Sequence, residues 1–116
     1  MKTTRELLKI AYNTLDEKKG IDIQILDIGN LTPICDYFLI AAGSSHNQVQ
    51  ALCDYVQEAL AKEGCHPRQV EGLRGAGWVL LDYQDFVVHV FTQEERSFYH
   101  IEKIWQDGTP VDPETL

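Results

Sequence analysis

The chain has 116 residues, 44% of them apolar and 24% charged, so it suits one compact domain and excludes two ordinary domains or a disordered chain. Ten Lys and Arg against eighteen Asp and Glu give a net charge of −8. This balance argues against a nucleic-acid backbone as the main ligand, which is bound by neutralising phosphates with basic residues, and favours a basic protein surface.

The opening MKTTRELLKIAYNTL is amphipathic and lacks the continuous apolar core of a signal peptide. Within it, Thr3 and Glu6 have the spacing of a capping box, and Leu7, Leu8, Ala11 and Leu15 recur on one helical face up to a stop at Lys18-Lys19-Gly20. Ile21-Asp22-Ile23-Gln24-Ile25 alternates strictly and predicts a half-buried strand. After a break containing Pro33, the apolar run Tyr37–Ala42 suits a central strand covered on both faces. Gly43-Ser44-Ser45 turns the chain into a second helix, capped by Ser45 with Gln48 three residues on. Its stripe is Val49, Leu52, Cys53, Val56 and Leu60, and it stops at Gly64.

A short strand is expected within His66–Val70, followed by a loop through Leu73–Gly77. Trp78–Tyr83 and Phe86–Phe91 flank a tight turn and predict a hairpin. A last helix is expected through Phe98, Ile101, Ile104 and Trp105 to Gly108. The element order gives an α/β or α+β layer domain, taken as α/β, with a mixed sheet of about five strands and packed helices. Residues 1–107 form the single domain, and residues 108–116, with two prolines and no apolar period, are expected as a loose tail. No apolar run approaches the roughly 18 residues needed to cross a bilayer. The widely spaced Cys35, Cys53 and Cys65 form no disulfide framework, so a cytoplasmic, reducing setting is expected.

The most enzyme-like piece is Gly43-Ser44-Ser45-His46-Asn47, which falls one glycine short of a nucleophile elbow. A hydrolase would need Ser45 activated by a carboxylate-oriented histidine, with His89 and Asp85 the residues to hand, whereas helix capping explains Ser45 and Gln48 without chemistry. The same turn has the free N–H groups that capture phosphate, and Gly43-Ser44 after a strand is like the opening of nucleotidyltransferase sites. Those sites hold Mg²⁺ on paired strand carboxylates, yet the next acid, Asp54, falls inside a helix. Cys65-His66 has no second pair at a ligand spacing, so no metal and no cofactor is expected. Cys53 lies on an apolar stripe and reads as inert, and His89, in an apolar strand, as a hydrogen-bonded core or face histidine. In the hairpin, period two puts Trp78, Leu80 and Asp82 on one face. An aromatic, an aliphatic and a charge together suit an interface, though Trp78 could also simply cap the core. Asp82 and Asp85 either serve the turn or project as a negative pair toward a cationic partner.

Three blocks, taken in order, carry a family resemblance. They are Asp36–Ile40 with Gly43-x-Ser45 and Glu71-Gly72; Trp78–Tyr83 with Asp85 and Val88–Phe91; and Arg96-x-Phe98-Tyr99-x-Ile101-Glu102-x-Ile104-Trp105. From about Leu7 to Asp107 the chain resembles the ribosomal silencing factor, or Iojap-like, family. The resemblance implies a non-catalytic protein with a nucleotidyltransferase-like fold. It would bind a basic protein of the large ribosomal subunit, the fourteenth of that subunit's series, on the intersubunit face, with little direct RNA contact. Occupying that face would block subunit joining and reduce translation when nutrients are scarce. Organelle relatives act in large-subunit assembly, and homodimers occur in the family. The implied contact residues are Trp78, Leu81, Asp82 and Tyr83, and Leu80, Asp85 and Glu71 are expected to join them in binding the partner. Two positions depart from the pattern: Cys35 replaces a common alanine, and Gln84 stands where the turn usually has glycine. If that turn needs positive φ, Gln84 costs about 1 kcal/mol.

Overall fold

The computed structural model describes residues 2–33, 35–72, 77–99 and 108–116. The first helix, α1 (Thr4–Glu17), begins as the sequence requires: the Thr3 hydroxyl accepts from Glu6 N–H, and the Glu6 carboxylate accepts from Thr3 N–H. Strand β1 (Ile21–Asp27) leads to β2 (Tyr37–Gly43), and helix α2 (His46–Ala61) follows. Then come β3 (Gln69–Glu71), β4 (Trp78–Asp82), β5 (Phe86–Thr92), helix α3 (Gln93–Tyr99) and β6 (Thr109–Pro110). The strands form one sheet in the order β3-β4-β5-β2-β1-β6, with only β2 and β5 running parallel.

This is the expected α/β architecture with a mixed sheet. Helices α1 and α2 cover one face, where Leu8, Ala11 and Leu15 meet Val49, Leu52, Val56 and Leu60 over Leu39, Ala41, Val88 and Val90. Each fully buried aliphatic side chain there contributes roughly 1.5–3 kcal/mol of transfer free energy. The opposite face carries a smaller cluster of Leu26, Ile28, Cys35, Phe38, Ile40, Val87 and Phe91, against which Trp78 and Leu80 pack. Both central strands, β2 and β5, are buried along their whole length, which is why they read as continuous apolar runs rather than alternating ones.

Two elements differ from the sequence expectation. Strand β1 alternates over Ile21–Ile25 as expected but continues to Asp27, with Leu26 buried in the opposite cluster. Its register shifts between Ile21 and Gln24, Asp22 takes a φ of 47°, and the Arg96 guanidinium donates to the carbonyls of Ile21 and Asp22. The segment 108–116, expected as loose, supplies a sixth strand: Leu26 and Asp27 pair with Pro110 and Thr109, and Val111 N–H donates to Ile25 O. Arg5 donates to Thr115 O and Lys9 to Pro113 O. A two-residue edge strand has no apolar period to detect, and Pro110 is tolerated because an edge needs few donors.

The expected loop at Leu73–Ala76 and the helical stripe through Phe98, Ile101, Ile104 and Trp105 lie outside the described residues or side chains. Among the described residues no helix is long and apolar enough to cross a membrane.

Candidate partner-docking site

Strand β4 exposes its residues alternately. Val79 and Leu81 are buried against the helices, while Trp78, Leu80 and Asp82 are half-buried on the opposite face. The sequence period thus places those three correctly. Trp78 stands opposite Phe91 in the ladder and stacks on its ring, with centroids 5.0 Å apart and 23° between planes. Its indole Nε1–H donates to His89 Nδ1 at 3.1 Å.

Leu80 separates two shallow clefts. On one side it shares a cleft of about 230 Å³ with Glu71, Gly72 and Trp78. On the other it lines a cleft of about 200 Å³ with Cys35, Phe38, Asp82, Val87 and His89. Gly72 makes the first cleft possible. Its φ is 77°, and a Cβ there would sit 2.1 Å from the Trp78 carbonyl oxygen, so only glycine lets the end of β3 close on the start of β4.

The acids do not form one negative pair. Asp82 Oδ2 accepts from Arg68 Nη2 at 2.8 Å, and Oδ1 accepts from Gln84 N–H at 2.8 Å. Burial alone raises the pKa of this carboxyl, but the Arg68 and Gln84 hydrogen bonds outweigh it and hold the group below its ordinary range. Asp85 instead accepts from the Thr4 hydroxyl at 3.2 Å. Glu71 is exposed and accepts from Gln69 Nε2 at 2.6 Å.

The structure places Leu81 and Tyr83, grouped with these residues by the resemblance, on the helix side of the sheet. Leu81 is 0% and Tyr83 7% exposed, both in the helix-side core, with Tyr83 stacked on Phe86 at 5.1 Å. Strand alternation sends them away from the Trp78 face. Sequence reasoning missed Phe38, Val87 and Arg68 as members of the site. Only the β2–β5–β4 register brings Phe38 and Val87 beside Leu80, and a lone sequence does not print that register.

The enzyme-like features resolve into structure. Ser45 Oγ accepts from Gln48 N–H at 3.1 Å as the N-cap of α2. The Gln48 side chain turns to the N–H and hydroxyl of Ser44, not to Ser45 as a strict capping box requires. Burial pushes the Cys35 thiol up to about 11 and the Cys53 thiol to about 12, so neither is a thiolate at neutral pH. Among the described residues no three His, Cys, Asp or Glu side chains cluster as metal ligands.

A family described as "Ribosomal silencing factor during starvation" matches residues 1–116. The chain is 41% identical to the ribosomal silencing factor of Bacillus subtilis over 108 residues, covering 93% of this chain and 92% of that one. A crystal structure of a Chromobacterium violaceum protein superposes with a TM-score of 0.87 at 37% identity, covering 90% of this chain and 88% of that one. A more distant mouse relative, named for mitochondrial assembly of the large ribosomal subunit, is 26% identical, with the match covering 84% of this chain and 44% of the relative. The chain belongs to the ribosomal silencing factor family.

Proposed function

We propose that this protein is a non-catalytic regulator of translation that docks on a basic protein of the large ribosomal subunit, the fourteenth of its series, and blocks subunit joining by occupancy. The observation that carries the reading is the half-buried Trp78–Leu80 surface, with a cleft on each side and Glu71 and Asp82 at its margins. A large aromatic held in one orientation at a sheet surface is the usual form of an interface hot spot. The net charge of −8 favours a basic protein over ribosomal RNA. The mechanism needs no turnover: a body 33 × 32 × 25 Å across, seated on the joining face, excludes the other subunit sterically. Reduced translation under nutrient limitation follows when the factor is abundant relative to large subunits.

A second reading, action during large-subunit maturation, is favoured by the name of the mouse relative. Both readings use the same surface. Subunit profiles from a depleted strain separate them: precursor accumulation supports assembly, whereas normal subunits with unrestrained joining support repression. Docking itself is tested by co-sedimentation of the protein and its Trp78→Ala variant with purified large subunits. Loss of binding in the variant supports the reading, and equal binding removes Trp78 from it.

A further inference from the structure

Position 89 sits on a strand that is buried throughout, between Val87 and Phe91 on the same face, where any apolar side chain of similar size would pack. A histidine there is 3% exposed, and its Nε2 has no hydrogen-bond partner among the described residues. Indole nitrogen can only donate, so the 3.1 Å contact requires His89 Nδ1 to be the acceptor. In a neutral ring that places the proton on Nε2, which makes the orphaned atom a buried donor. Such a group costs fold stability, and nothing in the packing of β5 requires it.

What the histidine supplies is the orientation of Trp78. The His89 ring is itself held edge-on to Phe38, with centroids 4.6 Å apart at 74°, and stands 5.9 Å from the Trp78 ring. The indole is thus fixed by a stack on Phe91 and a hydrogen bond to a ring that cannot readily turn. The geometry points to His89 as the positioning residue of the docking surface: it pre-orders Trp78 for the partner while leaving its own Nε2–H unsatisfied. This rests on the docking function proposed above. Burial depresses the His89 pKa to about 4, so the ring stays neutral and able to accept at neutral pH.

A residue kept for positioning separates stability from binding, and that is the test. His89→Leu removes the buried orphan and should fold with an unchanged or raised melting temperature. The same variant should bind purified large subunits about three- to tenfold more weakly, the penalty of ordering one freed side chain on docking. His89→Asn keeps an acceptor near the Nδ1 position and should recover part of that affinity. In the parent, long-range proton–nitrogen NMR should show His89 as the Nε2–H tautomer, with the Trp78 indole N–H slow to exchange. In His89→Leu that indole signal should shift and exchange faster. An Nδ1–H tautomer, or an indole signal indifferent to His89→Leu, overturns the positioning role even if docking stands. Equal subunit binding by His89→Leu and parent overturns it as well. Equal binding by Trp78→Ala and parent would instead remove the docking reading, and with it the role assigned to His89, while leaving the indole spectra as found.

Discussion

The Trp78 ring is held from the neighbouring strand: its indole N–H reaches back along β5 to Nδ1 of His89, although Phe91 is its ladder partner. Its orientation is therefore set before any partner arrives, which lowers the ordering cost of docking. Trp78→Ala should weaken binding to large subunits by more than about 2 kcal/mol, the range of a central aromatic anchor. Titration calorimetry or quantitative co-sedimentation reads it directly, with the circular dichroism spectrum as a check that the variant is folded.

Gly72 is the second position on which the surface depends. Its φ of 77° and the 2.1 Å approach of a would-be Cβ to the Trp78 carbonyl leave no room for a side chain. Gly72→Ala should destabilise the fold by about 1–3 kcal/mol in chemical denaturation and weaken subunit binding, because β3 must move off β4. An unchanged denaturation midpoint would show that the corner is more accommodating than its geometry indicates.

The hairpin turn gives a change of opposite sign. Asp85 N–H donates to Tyr83 O across Gln84, which takes a φ of 74°. A side chain in that region is strained, and glycine is not. Gln84→Gly should stabilise the protein by about 0.5–1 kcal/mol, less than the full strain because glycine also loosens the unfolded chain. The gain should appear as a higher denaturant midpoint at constant slope.

His89 also sets a pH dependence. Its pKa falls from 6.5 to about 4 on burial, so between those values the unfolded chain holds more protons than the folded one. Stability should therefore be full above about pH 6.5 and decline as the pH falls toward 4, by at most about 3 kcal/mol from this group. In His89→Leu this portion of the decline should be missing, leaving only the carboxylate contribution at lower pH. Parallel denaturation curves of the two proteins across that window measure it.

Much of this was legible in the sequence where one element's own periodicity carries the information. The Thr3–Glu6 cap, the stripes of α1 and α2, the buried strand β2, and Trp78, Leu80 and Asp82 on one face all follow from local patterns. The positive φ at Gln84 was only a conditional reading from the family pattern, and the structure supplies it. What escaped depends on pairing between distant segments. The strand at Thr109–Pro110 exists only through β1, and Phe38 and Val87 join the site only through the register of β2, β5 and β4. Leu81 and Tyr83 were grouped with that surface only by the resemblance, while period two, read alone, puts Leu81 on the opposite face from Trp78 and Leu80. The acids were legible as charges but not as partners: Arg68 lies 14 residues from Asp82 and Thr4 lies 81 from Asp85.

Occupancy of the large subunit's joining face can be read in a subunit-joining assay with purified subunits. The protein should sediment with large subunits alone, and their joining with small subunits should fall as it is added, with Trp78→Ala failing in both respects. Joining that proceeds undiminished when the large subunits are saturated with the protein would contradict that occupancy.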